Sequence, residues 1–143
     1  MAEVTDSPVS WVAAHTRRYL ETGGRDGHEW RPGVPTLLLT TTGRRSGVKR
    51  RTALIYGRDN ADYVVVGSKG GSPEHPAWYV NLQADPKVEI QVFDKVVPAS
   101  ARTATGPERE RLWALMREIW PAYDQYQKRT DRQIPVVVLA PRG

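Results

Sequence analysis

The sequence predicts an α+β protein in which about six mostly antiparallel strands form a small barrel or a highly curved sheet, with helices on its flanks. The chain has 143 residues, about the length of one domain, and no linker-like stretch divides it. Segments rich in β-branched and aliphatic residues follow one another across short turns, which is typical of adjacent antiparallel strands. Apolar residues at helical spacing mark three or four further segments. A sheet of six such strands covers its edges best by curling.

A helix and a three-stranded meander are predicted in the first half of the chain. Ser7 and Pro8 suit an N-cap and a first helical position, and apolar residues at helical spacing follow over 9–20 until Gly23. Residues 24–35 have the composition of a loop. The three strands of the meander are predicted at residues 36–42, 51–56 and 62–68.

A short helix and a hairpin are predicted next. Pro76 begins a helix that stops near Asp85. Side chains alternate between apolar and polar over 87–93, which predicts a strand that pairs with residues 96–103.

Two helices and a buried strand are predicted at the end of the chain. Thr105 and Glu108 have the spacing of a capping box, and an apolar stripe at helical spacing follows them. Pro121 begins a second, shorter helix. The apolar run at 134–139 predicts the last strand.

The composition excludes several classes of function. No apolar run approaches the ~20 residues of a membrane-spanning helix, and the first ten residues lack the pattern of a secretory signal, so we expect a cytoplasmic protein. The absence of cysteine excludes disulfides, thiolate nucleophiles and cysteine-ligated metals. The histidines are scattered at His15, His28 and His75, and we therefore predict no metal centre.

The net charge of +5 is concentrated between two predicted strands. Residues 31–60 contain seven Lys or Arg residues and a single acid, and five of those seven lie within 44–51. Such a block is either a solubilising turn or a site for nucleic acid, anionic lipid or an anionic small molecule. Gly43 and Gly47 permit a tight turn there, and arginine binds phosphate and carboxylate groups in bidentate fashion. Neither a Walker A loop nor a Rossmann fingerprint is present.

A second turn with affinity for anions follows the third strand. Gly70 and Gly71 allow consecutive backbone N–H groups to converge on an anion, and Lys69 adds a positive charge. Both turns lie at strand ends, and the intervening hairpin can bring them to the same side of the sheet.

Aromatic residues are unevenly represented, with five Trp and six Tyr against one Phe. Trp and Tyr pair a flat apolar ring with a polar edge, which suits both a protein core and a planar ligand. Two groups stand out, Trp78 with Tyr79 and Trp120 with Tyr123 and Tyr126. Since no hydrolytic residues are grouped in the sequence, we expect a bound organic cofactor to supply any chemistry.

Five segments combine these features in a fixed order. They are LLTTTGRRSG at 38–47, SKGG at 68–71, PAWYVNLQADP at 76–86, PAYDQY at 121–126 and TDRQIP at 130–135. Together they resemble the deazaflavin-dependent nitroreductase family of actinobacteria, from about residue 35 to the C-terminus. The resemblance implies a split β-barrel, like those of flavin reductases and FMN-binding proteins, over residues 31–143. An N-terminal helix and loop would precede it over residues 1–30.

The resemblance also implies a cofactor and a reaction. The cofactor is coenzyme F420, a deazaflavin with a phospholactyl group and an oligoglutamate tail. The reaction is hydride transfer to an electron-poor acceptor, which is a quinone, a nitroaromatic or an activated enone such as a coumarin or lactone. The alternatives are an FMN-dependent oxidoreductase, a non-catalytic F420 carrier and a nucleic-acid-binding protein.

The resemblance assigns roles to residues of this chain. At the anionic end of the cofactor it places Arg44, Arg45, Arg50 and Lys69. Along the deazaflavin ring it places Leu54, Ile55, Val66, Gly67, Ser68, Gly70, Ala77 and Trp78. At the acceptor it places Ile55, Trp78, Trp120, Tyr123 and Tyr126, and the catalytic candidates are Ser68, Tyr123 and Tyr126. The N-terminal helix covers the pocket, packs in an oligomer or contacts a membrane. We expect a monomer or a homodimer.

Overall fold

The computed structural model describes residues 4–6, 10–22, 28–31 and 33–142. The α-helices within these residues are α1 (Ser10–Thr22), α2 (Ala77–Ala84), α3 (Gly106–Ile119) and α4 (Ala122–Lys128). The strands are β1 (Val4–Asp6), β2 (Glu29–Arg31), β3 (Val34–Thr42), β4 (Lys49–Ile55), β5 (Gly57–Asp59), β6 (Asp62–Val66), β7 (Lys87–Val92), β8 (Lys95–Thr103) and β9 (Val136–Pro141). A tight turn at Lys69–Gly71, in which all three residues have positive φ, follows β6.

The described strands form one sheet in the order β1-β4-β3-β7-β8-β9-β6-β5, and β2 pairs with β3. The pairing of β1 with β4 is parallel, and the other pairings are antiparallel. The six longer strands, β3, β4 and β6 to β9, are those expected from the sequence. The prediction of an α+β fold with about six mostly antiparallel strands is confirmed.

Three strands of three residues each were not predicted, namely β1, β2 and β5. Residues 29–31 and 34–35 lie in strands, so the loop predicted over 24–35 is wrong at these positions. Three residues are too few to show the alternation by which a strand is recognised. The predicted N-cap at Ser7 and Pro8 lies outside the described residues.

The sheet separates two apolar cores. The α2-side core contains Leu37, Leu39, Tyr56, Val65, Tyr79, Leu82, Val88, Ile90, Ala99, Val137 and Leu139. The α3-side core contains Val64, Val66, Ala104, Leu112, Met116, Tyr123, Ile134, Val136 and Val138. Consecutive valines of β6 and β9 alternate between the two cores because successive side chains of a strand point to opposite faces.

The capping box predicted at the start of α3 is wrong. Thr105 does precede the helix, but its side chain makes no capping hydrogen bond. The Glu108 carboxylate instead accepts two hydrogen bonds from the Arg102 guanidinium, one of them 2.8 Å long. The guanidinium offers the carboxylate two parallel hydrogen bonds, whereas a capping box offers it one backbone N–H.

The helix α1 is fixed to the sheet through Tyr19, which is fully buried. The Tyr19 hydroxyl accepts a hydrogen bond from the Phe93 N–H at 2.7 Å and donates to Gln91 O at 3.4 Å. Burial raises the pKa of Tyr19 to about 12, so the phenol stays protonated at neutral pH. Among the residues that the structure describes, no helix is long and apolar enough to cross a membrane.

Candidate functional site

The turn between β3 and β4 presents cations at one end of the sheet. The Gly43 N–H donates to Val48 O at 2.8 Å, and the Gly47 N–H donates to Gly43 O at 2.9 Å. Gly47 has a φ of +71°, which glycine adopts at little cost. The tight turn leaves Arg44 and Arg45 exposed, as the sequence predicts.

Asn81 of α2 orients Arg44. Its amide oxygen accepts hydrogen bonds from Arg44 Nη1 at 2.9 Å and from the Arg44 backbone N–H at 3.3 Å. Its Nδ2 donates to Thr41 Oγ1 at 3.4 Å. Asn81 is only 4% exposed, so these bonds satisfy a buried amide that would otherwise be costly. The sequence analysis assigned Asn81 no role, although a polar residue between the apolar residues of a short helix was a usable signal.

Arg50 and Leu54 lie on one face of β4. Thr41 pairs with Arg50 and Leu37 pairs with Leu54 in the register of β3 and β4. Residues directly opposite each other in an antiparallel pair share a face, as do alternate residues of one strand. This face therefore changes over about 13 Å from an exposed cation at Arg50 to an apolar residue at Leu54.

Leu54 and Trp78 are half-buried and pack against the same α2-side core. Trp78 is the second residue of α2 and meets the ring of Tyr79 edge to face, with centroids 6.2 Å apart. Ala77 precedes it at the exposed start of the helix. An apolar, aromatic surface thus adjoins the cations of β4 and its preceding turn.

The segment after β6 passes between the starts of α2 and β9. The Gly67 N–H donates to Pro135 O at 2.9 Å. A Cβ at Gly67 would lie 2.8 Å from Pro135 Cγ and 3.6 Å from Pro76 Cγ, so a side chain does not fit there. Lys69 and Gly70 follow with φ values of +45° and +63°.

Lys69 and Gly70 are the residues of this segment that are open to solvent. Lys69 Nζ lies 4.0 Å from Glu74 Oε2 in an exposed ion pair, and such a pair contributes little to stability. Gly70 is exposed and Ser68 is half-buried. Val66, the last residue of β6, is buried in the α3-side core.

Two aromatic residues of α4 and Trp120, which precedes that helix, lie on the other face of the sheet. Trp120 Nε1 donates to the Tyr126 hydroxyl at 3.3 Å, and the Tyr126 ring meets the Tyr123 ring edge to face with centroids 6.1 Å apart. Tyr123 is 4% exposed, and burial raises its pKa well above the usual 10.0. It is therefore a protonated phenol and not a base. Ile55 packs against the α3-side core, as Trp120 and Tyr126 do.

The structure thus divides the residues named from the sequence into two groups. The α2-side group contains Arg44, Arg50, Leu54, Ala77 and Trp78, and Arg45 follows Arg44 in the same exposed turn. The α3-side group contains Ile55, Val66, Trp120, Tyr123 and Tyr126. Segment 67–71 lies next to both, because Gly67 lies beside Pro76, which caps α2, and a Cβ at Gly71 would lie 2.6 Å from Tyr126 O. Arg132 binds three carbonyl groups of this region and was not assigned a role from the sequence.

Comparison with known proteins places the chain in a family. The model of the family described as F420H(2)-dependent quinone reductase matches residues 11–141. The chain belongs to this family. The F420H(2)-dependent quinone reductase of Mycobacterium tuberculosis strain H37Rv is 43% identical over 137 residues, which cover 94% of this chain and 92% of that protein. The resemblance drawn from the sequence is thereby confirmed.

Solved structures of this family and beyond it share the fold. A structure of an F420-H2-dependent reductase, FDR-A, is 48% identical with a TM-score of 0.69, covering 73% of this chain and 93% of that one. A structure described as a domain-swapped dimer is 44% identical with a TM-score of 0.72, covering 93% and 99%. The heme storage protein HutZ of Vibrio cholerae is 17% identical with a TM-score of 0.57, covering 76% and 82%, and shares the fold alone. The split β-barrel prediction is confirmed.

Proposed function

We propose that this chain is a reductase that uses reduced coenzyme F420 and transfers a hydride to a small electron-poor acceptor of the quinone type. The observation that carries the proposal is the face of β4 that bears the cation Arg50 and the apolar Leu54. Arg44, bound to Asn81 of α2, and Trp78, packed on the same core as Leu54, lie on this side of the sheet. The names of the relatives, which are F420H(2)-dependent quinone reductases, support it.

The residues present fit coenzyme F420. Its phosphate and glutamate carboxylates carry several negative charges, and Arg44, Arg45 and Arg50 offer planar guanidinium groups that bind such groups in pairs of hydrogen bonds. The flat apolar surface of Leu54 and Trp78 fits the deazaflavin ring. When bound, this cofactor supplies a hydride, because replacing N5 of a flavin by carbon disfavours one-electron steps.

Residues of the chain would hold the acceptor and exclude water. Ile55, Trp120 and Tyr126 offer an apolar and aromatic surface at which a planar quinone stacks. The Tyr126 hydroxyl accepts a hydrogen bond from Trp120 Nε1, so its own proton remains available to an acceptor oxygen. Ser68, on the segment next to both groups, is the second candidate donor to the acceptor oxygen. Tyr123, protonated and buried, supports the ring of Tyr126.

The acceptor class follows from these contacts. A quinone gains negative charge on oxygen when it accepts a hydride, and hydroxyl donors stabilise that charge. Activated enones develop the same charge as an enolate, and nitroaromatics develop it on the nitro group, so both are further acceptor candidates. FMN also carries a phosphate, and an FMN enzyme or a non-catalytic F420 carrier is the alternative on this fold.

The domain bounds, the oligomeric state and the cellular location form a separate part of the proposal. We place the deazaflavin-binding barrel at residues 31–143 and an N-terminal helix and loop at residues 1–30. A homodimer is favoured over a monomer by the relative described as a domain-swapped dimer. The cytoplasmic location and a peripheral membrane contact through the N-terminal helix remain predictions, and we expect no nucleic-acid partner.

Anaerobic turnover tests the proposal. Purified protein is mixed with chemically reduced F420 and a soluble quinone, and the return of the oxidised deazaflavin absorbance is followed. We expect stoichiometric, enzyme-dependent oxidation with F420 and none with reduced FMN. Binding of F420 without turnover on quinones, enones or nitroaromatics would identify a carrier, and turnover with FMN alone would identify a flavin enzyme.

A further inference from the structure

The guanidinium of Arg132 gathers the segment between β6 and α2. Its Nε donates to Ser72 O at 2.8 Å, its Nη2 donates to Ser68 O at 2.8 Å and its Nη1 donates to Gly67 O at 3.1 Å. Nη1 also lies 3.0 Å from His75 Nδ1, which is the acceptor because arginine has only donors. One side chain thus binds backbone groups that are five residues apart.

The backbone of Arg132 is itself held in place by α4. Gln127 Nε2 donates to Arg132 O at 2.8 Å, and Gln127 Oε1 accepts from the Ile134 N–H at 2.9 Å. The Arg132 N–H donates to Thr130 Oγ1 at 3.3 Å. Both the side chain and the main chain of Arg132 are therefore oriented before any ligand binds.

The orientation of the carbonyls sets the orientation of the amides. A trans peptide is planar, so the N–H that follows a carbonyl points in the opposite direction. Since Gly67 O and Ser68 O point to Arg132, the N–H groups of Ser68 and Lys69 point away from it. Ser68 is right-handed, with φ −76° and ψ −40°, and Lys69 is left-handed, with φ +45°. Successive residues of this kind form a concave nest of N–H groups that binds anions.

The N–H groups of this nest are available. Among the residues that the structure describes, the backbone N–H groups of Ser68, Lys69 and Gly70 have no acceptor. No carboxylate in the described part of the chain forms an ion pair with Arg132. The positive charge of Arg132 therefore adds to the electrostatic potential at the nest. The left-handed conformation of Lys69 is unfavourable for a residue with a side chain and needs support from its surroundings.

We propose that Arg132 is a positioning residue that holds the carbonyls of segment 67–72 on one side, so that the N–H groups of residues 68–70 are preorganised to bind an anionic phosphate oxygen of the cofactor. Arg132 acts through the backbone and need not touch the cofactor. The inference rests on the proposed function, because it takes F420 as the ligand of the nest.

Amide hydrogen exchange tests the positioning role without a cofactor. We compare wild type with Arg132→Met, which keeps the length of the side chain, and with Arg117→Met, which removes a surface charge that pairs with Asp124. We expect exchange of the hydrogen-bonded amides of Gly67, Gly71 and Ser72 to become about tenfold faster or more in Arg132→Met and to stay unchanged in Arg117→Met. Unchanged exchange in Arg132→Met would overturn the proposal.

Binding measurements test the ligand of the nest. F420 and the deazaflavin riboside that lacks the phospholactyl and glutamate tail are titrated into each variant and into Arg132→Lys. We expect Arg132→Met and Arg132→Lys to weaken F420 binding about tenfold or more while riboside binding changes less than about threefold. Equal losses of affinity for both ligands would overturn the proposal, because they indicate a general structural defect. Wild-type F420 affinity in Arg132→Lys would also overturn it, because it indicates a role for charge alone. A wild type that binds neither ligand would overturn the proposed function, while the exchange experiment would still decide the positioning role.

Discussion

Leu54 and Ile55 are consecutive residues of β4, yet their side chains pack on opposite sides of the sheet. Leu54 contacts the α2-side core together with Trp78, whereas Ile55 contacts the α3-side core together with Trp120 and Tyr126. Both were expected to line one deazaflavin ring. Because a hydride passes only between groups in contact, we propose that a ring on Leu54 and an acceptor on Ile55 meet where segment 67–71 adjoins both sides.

Alanine at each of these positions should therefore affect a different ligand. We expect Leu54→Ala to raise the F420 dissociation constant roughly three- to tenfold, because apolar contact area with the ring is lost. We expect Ile55→Ala to change the KM for the quinone by a similar factor and to leave F420 affinity within about twofold. Fluorescence titration and steady-state kinetics measure the two effects. The same effect on both ligands from both variants would show that one ring spans the two sides.

Removal of the arginines should abolish tight cofactor binding. The triple variant Arg44→Ala, Arg45→Ala, Arg50→Ala should fold normally, because all three side chains are exposed, and should bind F420 roughly 10- to 100-fold more weakly. A control triple variant, Lys87→Ala, Lys95→Ala, Lys128→Ala, removes the same charge from exposed positions elsewhere. Equal affinities of the two triple variants would assign the effect to net charge and not to these arginines.

Asn81 should stabilise both the fold and the orientation of Arg44. Asn81→Ala leaves the buried Thr41 hydroxyl and the Arg44 N–H without this partner, so we expect the free energy of unfolding to fall by about 1–3 kcal/mol. Gln83→Ala, at an exposed position of the same helix, should change it by less than about 0.5 kcal/mol. Urea denaturation measures both. Similar values for the two variants would mean that the Asn81 contacts are energetically unimportant.

The hydroxyl of Tyr126 should matter for turnover more than for cofactor binding. Tyr126→Phe removes the acceptor of the Trp120 hydrogen bond and a donor to the quinone, and we expect kcat/KM for the quinone to fall roughly three- to tenfold. F420 affinity should stay within about twofold. Tyr63→Phe, which removes the hydroxyl of a half-buried ring on the α2 side, is the control. A larger effect on F420 binding than on turnover would assign Tyr126 to the cofactor site instead of the acceptor site.

His75 should make stability depend on pH. Burial, and then the neighbouring charge of Arg132, lower the pKa of His75 below its usual 6.5. The unfolded chain therefore takes up the proton first, and the free energy of unfolding should fall as the pH is lowered from 6.5. The carboxyl groups of Asp59 and Glu108, whose pKa values are lowered from 3.8 and 4.5, lose their contributions only at lower pH. The difference between wild type and His75→Gln should show this slope, and parallel curves would contradict it.

The longer elements could be predicted from the sequence because their patterns are local. The alternation in β7 and the β-branched runs of β3, β6 and β9 each lie within nine residues. The strand β5 could not be predicted, because Arg58 and Asp59 have turn-forming neighbours and pair with β6 only through the tertiary fold. Glu108 has the spacing of a capping residue, but its preference for Arg102 depends on where β8 ends.

The same limit applies to the site. The exposed arginines at residues 44–51 and the aromatic residues of α4 were visible as local clusters of charge and rings. The contacts of Arg132 reach carbonyls up to 65 residues away in the chain, and no local pattern indicates them. The assignment of Leu54 and Ile55 to different sides depends on which face of the curled sheet each helix covers, which only the structure provides.

The central claim, that the basic turn and the apolar face of β4 bind coenzyme F420, is tested most directly by titrating the purified protein with F420 and, in parallel, with FMN at two salt concentrations. We predict saturable F420 binding that weakens as salt is raised, since several exposed cations contact the anionic tail, and no comparable binding of FMN. Binding of FMN in preference to F420, or of neither, would contradict the claim.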